Sequence, residues 1–143
     1  MTTLVLDASV AVQWPLPAAD QALKAKAVEL LQSYVNGQIQ FIVPDIFWAE
    51  FSNVLWTAVR QGRYSASDAK IAISSALDRD FPVVPSKNLL PAALAIALKF
   101  GRTVYESIYV ALAAVMRCDL ITADERQANA LAAYFPVKWL GAM

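Results

Sequence analysis

The sequence contains no histidine and a single cysteine, Cys118. The first absence removes Ser-His-Asp and Cys-His catalysis, imidazole zinc sites and histidine acid–base chemistry. The second rules out an internal disulfide and a multi-thiolate metal site, so Cys118 is expected to pack as a small hydrophobe. Charge is also sparse. Asp, Glu, Lys and Arg make up 17% of the 143 residues, with 12 basic and 12 acidic side chains and no net charge. A generic nucleic-acid binder, with a strong basic excess, is therefore not indicated. Long hydrophobic runs are missing too: Leu89 to Leu98 is the longest, and it is interrupted by Pro91 and too short to span a bilayer. No basic segment precedes the first apolar run, so no signal peptide is expected. The expectation is a soluble, cytoplasmic protein with no membrane partner.

What is present is apolar. Hydrophobic residues form 58% of the chain, which excludes disorder and implies that a partner covers some of the apolar surface. The length suits one domain, residues 1–143. Any enzymatic work must fall to carboxylates, hydroxyls, Lys or Arg. If four carboxylates were gathered in one pocket, the rest of the surface would carry four excess positive charges, an arrangement suited to a metal-dependent enzyme acting on a polyanion.

The chain is organised around Thr3-Leu-Val-Leu-Asp7-Ala-Ser9. A run of apolar residues reads as a strand buried on both faces, and it ends in a carboxylate. Asp7 would lie at the carboxyl edge of a sheet, where ligands bind in open α/β folds. Taken alone, the stretch reads more readily as Asp7 capping a short helix that starts near Ala8. A helix from Asp20 to about Tyr34 follows, then a strand Gln40–Val43 closed by Pro44. Asp45 is the expected cap of a helix to about Gln61, with Phe47, Phe51, Val54, Leu55 and Ala58 on its apolar stripe. Glu50 shares that stripe, either as an unusual inward carboxylate or as an edge position whose head reaches water. A helix from Ser65 to about Asp80, a strand Phe81–Val84 and a helix Asn88–Phe100 come next. Thr103 caps a further helix to about Arg117, with Val104, Ile108, Leu112 and Val115 inward. Glu106 stands where a capping box would use it. Asp119–Thr122 is a strand, Asp124 caps a helix to about Tyr134 with Gln127 in a capping-box-like position, and Val137–Leu140 is the last strand. Strands alternating with helices, with few long loops, specify an α/β sandwich around a parallel sheet.

In such a sheet, strand C-termini and the N-termini of the helices that follow share one edge. Asp7 and Asp124 belong to that edge if their strands are neighbours, and the helices carrying Glu50 and Glu106 can contribute to it. Like charges gathered there need a counter-charge. With no His or Cys, the natural one is a hard divalent ion held by oxygen, Mg2+ or Mn2+. Such an ion activates water and polarises a phosphoryl oxygen, so the chemistry implied is phosphodiester hydrolysis.

Val5-Leu-Asp7-Ala-Ser9, Ala49-Glu50, Val104-Tyr-Glu106-Ser-Ile-Tyr-Val-Ala-Leu-Ala113 and Leu120-Ile-Thr-Ala-Asp124 resemble the successive motifs of PIN-domain ribonucleases, most closely the VapC toxins of type II toxin–antitoxin pairs. The resemblance spans nearly the whole chain. It implies a three-layer sandwich with a parallel five-stranded sheet of order 3-2-1-4-5. It also implies Mg2+- or Mn2+-dependent endoribonuclease activity on an RNA substrate, homodimerisation, and inhibition by a VapB-like antitoxin. Carried over position by position, Asp7, Glu106 and Asp124 are the metal ligands and Glu50 completes the catalytic set. Ser9 and Thr122 would orient carboxylates or waters, or make only local backbone bonds. The family pattern usually has Asp where this chain has Glu106. That lengthens the side chain by one bond and leaves room for a catalytically weak or inactive binding module. A phospho-acceptor signalling domain, which would need closely paired acids and a strand-end Lys, fits less well. Arg60, Arg63 and Lys70, or Lys99 and Arg102, are basic turns available to phosphate. Trp48 and Trp56 lie off the stripe of Phe47 and Phe51, as candidates to face a partner.

Overall fold

Strand β1 (Thr2–Leu6) is the axis of the sheet. Val5 and Leu6 are fully buried, each contributing roughly 1.5–3 kcal/mol relative to exposure. The computed structural model describes residues 1–143. From β1 the chain passes through α1 (Ala8–Ala11) and α2 (Gln21–Val35) to β2 (Ile39–Pro44), then α3 (Phe47–Arg60) and α4 (Ala66–Leu77) to β3 (Val83–Val84). Helices α5 (Leu90–Phe100) and α6 (Val104–Met116) lead to β4 (Asp119–Thr122), and α7 (Glu125–Leu131) leads to β5 (Val137–Trp139). The five strands are all parallel, in the order β3-β2-β1-β4-β5. Right-handed crossovers send the connecting helices to opposite faces where the strand order reverses, which gives the three-layer arrangement expected from the sequence.

Register fixes the edge. Leu6 is aligned with Ile121, and the ladder runs one residue further: the Asp7 N–H donates to the Ile121 carbonyl at 3.1 Å. Asp7 and Thr122 are thereby held side by side at the carboxyl ends of the two central strands. Helix α6 packs across β1, β2 and β4, with α5 against it. Seven consecutive residues of α6, Ser107 to Ala113, are buried. On the flank of β2, Trp14, Tyr34, Phe41, Phe47, Trp48 and Phe81 form one aromatic cluster with centroid separations from 4.7 to 6.4 Å. No helix is long and apolar enough to cross a membrane.

Helix starts follow local side-chain chemistry. Asp20, Ser65, Thr103 and Asp124 each accept a backbone N–H from three residues on. Asp45 does not cap α3, against expectation. Its own N–H continues the ladder to Val84, and its carboxylate accepts from the Ser86 N–H at 3.0 Å, tying β2 to the loop after β3. Trp48 stacks on Phe81 at 5.8 Å and 10° and packs, half-buried, against the core. Val115, expected inward, is 65% exposed because the buried stretch of α6 ends at Ala113. Several spans are shorter than anticipated. The helix after Asp7 stops at Ala11, β3 is two residues long, and α7 ends at Leu131.

Gly101 ends α5 in the left-handed region, at φ 68°. It lets the chain turn within two residues into the Thr103 cap of α6, and so sets where Arg102 lies. A Cβ there would meet nothing within 4 Å, so the penalty for Gly101→Ala is conformational only. It is expected to cost about 1–2 kcal/mol in urea unfolding. A neutral result would show that the turn relaxes at no cost.

Candidate active site

Asp7 occupies the cap position of α1 but makes no side-chain cap bond. Its Oδ2 instead accepts two hydroxyl bonds, from Thr122 Oγ1 at 2.8 Å and from Ser9 Oγ at 2.9 Å. Each hydroxyl is itself fixed. Ser9 Oγ accepts the Ala123 N–H at 3.0 Å, and Thr122 Oγ1 accepts the Asp124 N–H at 3.1 Å. Thr122 has one proton, and Asp7 takes it. Gln127 Oε1 lies 3.4 Å from the same hydroxyl, a longer second acceptor for that proton, and Gln127 Nε2 is buried without a partner. Gln127 is thus the far end of a chain, Gln127–Thr122–Asp7, that the sequence suggested only as a cap.

The remaining acids stand around this point. Glu50 projects from the first turn of α3, and its Oε1 accepts from the Tyr109 hydroxyl at 2.6 Å. Tyr109 is on the buried face of α6, so this bond pins α3 to α6. Glu106 lies in the first turn of α6. Its N–H caps on Thr103 at 3.1 Å, but its carboxylate does not return to the Thr103 N–H as a capping box would. It binds Arg102 Nε at 2.9 Å. Asp124 caps α7 through Oδ1, and its Oδ2 lies 3.9 Å from Arg102 Nη2. The side chains of Glu106 and Asp124 are 32% and 42% exposed. The best-formed clefts of the molecule are lined by other residues.

Electrostatics separate the four. Burial pushes the Asp7 carboxyl above the ordinary range; the Thr122 and Ser9 bonds pull it down, and the charge of Glu106 adds to the rise. Glu50 is raised by burial first, with Asp7 and Glu106 adding repulsion and Tyr109 opposing. Tyr109 is pushed far up by burial and by Asp7 and Glu50, so it remains a neutral donor. Cys118 is raised by burial and by Asp119, which suits a packing residue and not a nucleophile.

The donor set fits a hard divalent cation in kind. It consists of carboxylate oxygens, the carboxyls of Asp7 and Glu50 being raised chiefly by burial, and includes no soft ligand. As placed, however, no three acidic side chains stand close enough together to hold an ion. The full convergence anticipated from the sequence is therefore not seen. Asp7, Glu50 and Glu106 sense one another's charge, while Glu106 and Asp124 are gathered on Arg102. Arg102, noted in the sequence only as part of a basic turn, and Tyr109, quoted there within a motif but given no role, join the candidate site.

The sequence matches the PIN domain family over residues 4–131. The chain belongs to the PIN domain family. PIN domains are generally nucleases, which places this chain among hydrolases. Solved structures share the fold. PAE2754 from Pyrobaculum aerophilum is 20% identical, with a TM-score of 0.70 over 99% of this chain and 85% of that one. VapBC2 from Rickettsia felis, bound to a DNA fragment from its promoter, is 10% identical, with a TM-score of 0.62 over 96% and 98%. A toxin–antitoxin complex from Klebsiella pneumoniae is 16% identical, with a TM-score of 0.59 over 94% and 95%. No curated protein matches the sequence. At these identities the structural likeness is one of fold. The family rests on the sequence match.

Two predictions follow from this geometry. Thr122→Val keeps the shape and removes the donor to Asp7; urea unfolding is expected to show a loss of about 1–3 kcal/mol. The second concerns pH. Asp7 and Glu50 have folded-state values above their unfolded ones, so the folded PIN domain binds their protons more tightly. Their contribution to stability is greatest below the ordinary carboxylate range, about pH 4, and declines as pH rises from there through the folded values. Asp7→Asn and Glu50→Gln remove that decline. In metal-free buffer each variant's Tm relative to the parent should increase from pH 4 to pH 8. A difference that stays flat with pH would show that neither carboxyl is raised.

Proposed function

We propose that this PIN domain is a metal-dependent endoribonuclease, the toxin of a VapBC-type toxin–antitoxin pair, hydrolysing RNA phosphodiester bonds with water activated by Mg2+ or Mn2+. The observation that carries the reading is the placement of Asp7. It sits at the carboxyl end of the central strand, at the switch point of the sheet, with both hydroxyl donors on one oxygen, with Glu106 near enough to add to its raised pKa and with Glu50 near enough to be raised by it. The family match and the toxin–antitoxin structures of the same fold support it.

In this reading Asp7, Glu106 and Asp124 would hold the ion. When bound, it would supply an activated water and a Lewis acid for the phosphoryl oxygen. The residues of the chain do the rest. Ser9 and Thr122 fix the Asp7 carboxylate so that its second oxygen is presented. Tyr109 holds Glu50 at the edge of the site, where its raised pKa suits it to accept a proton from water. The open acidic edge suits a polymer, which a closed pocket would not admit. A VapB-like antitoxin, a second copy of the chain and RNA are the partners proposed, and the cytoplasm is the proposed compartment. The 143 residues are read as one domain.

One observation favours a second reading, a PIN-fold module that binds without cleaving. Glu106 is engaged by Arg102, and the acids do not close around one point. Cleavage assays separate the two. With single-stranded RNA and Mg2+ or Mn2+, the parent protein should cleave and EDTA should stop it. Asp7→Ala and Asp124→Ala should each lower the rate by more than ~10²-fold while remaining folded, since even residues that only orient metal ligands cost about 10- to 100-fold. Unchanged rates in folded variants would remove these residues from the site. No turnover by the parent with metal bound would favour the binding module.

A further inference from the structure

Of the three salt bridges in the molecule, two converge on Arg102. Its Nε binds Glu106 at 2.9 Å and its Nη2 faces Asp124 at 3.9 Å. These two residues come from helices on either side of β4, and nothing else joins their carboxylates. The Arg102 side chain is only 21% exposed. It is delivered by the tight turn at Gly101, between the end of α5 and the cap of α6. Its position is therefore built by the backbone and is not the chance reach of a long surface side chain. The length of Glu106 matters here. An acid at the third position of a helix ordinarily folds back on the cap N–H; this one reaches one residue past the cap, four residues back, onto Arg102.

We propose that Arg102 is an internal counter-ion that competes with the divalent metal for Glu106 and Asp124, so that metal binding requires the guanidinium to leave. This rests on the proposed metal site and adds to it a reason why the acids do not close around a single point: two of them are already neutralised. Arg keeps its charge at any physiological pH, so the competition is one of position and concentration, not of protonation. The consequence is a metal affinity lower than the four acids alone would give, and an active site that stays shut at low divalent concentration.

The test is direct Mn2+ binding, read from the loss of the free-ion EPR signal on titration into the folded protein, with no RNA present. Arg102→Gln is expected to bind Mn2+ about three- to tenfold more tightly than the parent, the gain expected from releasing two partly exposed ion pairs. Lys138→Gln is the control. It removes one positive charge from the pair with Asp119, at the start of β4 and so at the opposite edge of the sheet, and should leave the affinity within twofold. Equal or weaker binding by Arg102→Gln would overturn the proposal. So would an equal gain in Lys138→Gln, which would mean net charge alone is at work. Asp7→Asn, in the same titration, guards the underlying reading. If it binds Mn2+ like the parent, the acidic edge is not the metal site, whatever Arg102 does.

Discussion

The site depends on one carboxylate being held in a place where it is not electrically comfortable. Asp7 receives two hydroxyl bonds, either of which would ordinarily favour its charged form. Its pKa is nonetheless raised. The sign decides which effect wins: desolvation at the end of a buried strand, reinforced by Glu106, exceeds what Ser9 and Thr122 return. A group in that state binds either a proton or a cation favourably. The same imbalance recurs at Glu50, where the Tyr109 bond is outweighed by burial and by two neighbouring acids. Charge without compensation, held rigidly, is what the fold delivers to this edge.

The topology explains why the edge lies there. In the order 3-2-1-4-5 the chain builds outward from β1 in one direction and then returns to build in the other. The reversal falls between β1 and β4. At that point the helices following the two strands diverge to opposite faces and leave a crevice. Asp7 ends one of these strands. Thr122 ends the other, two residues before Asp124. The ladder bond from Asp7 to Ile121 makes their separation a property of sheet register, so the pair cannot drift without breaking β-pairing. Helix α6 brings Glu106 with its first turn and Tyr109 with its buried face, and the Tyr109–Glu50 bond locks α3 to the same frame.

Where the chemistry is local, the sequence announced it. A strand ending in Asp, and Thr103 and Asp124 as helix caps, each depend on residues within a turn, and each was legible. Asp45 shows the limit. It satisfied every local condition for a cap, but Ser86, far away in the chain, offered an unpaired N–H that the carboxylate took instead. Tyr109 was hidden for the same reason: it stands 59 residues from Glu50, within a helix whose apolar composition gave no hint of a polar partner. Trp48 lies off the stripe of Phe47 and Phe51 and still packs on Phe81, because a helix that meets an aromatic cluster buries a wider arc than a single stripe. Gln127 was read as the return half of a cap. In the structure its backbone N–H takes the Asp124 cap bond, and its side-chain oxygen lies 3.4 Å from the Thr122 hydroxyl.

Glu106 is the residue on which local and long-range logic meet. Its backbone N–H obeys the helix-start rule, capped by Thr103, and its negative charge in the first turn of α6 is favoured by the helix dipole. Both facts would hold equally for Asp. The extra methylene changes only how far the carboxylate extends, and in this structure it reaches Arg102. An Asp at 106 would withdraw its oxygens by about one bond length, far enough to weaken a 2.9 Å contact beyond hydrogen-bonding range. Arg102 would then keep only its longer contact to Asp124. The departure from the usual family residue is therefore not a neutral lengthening. It couples the third acid of the site to a cation of the same chain, and it accounts physically for a PIN-domain edge that holds the expected acids without closing them around one point.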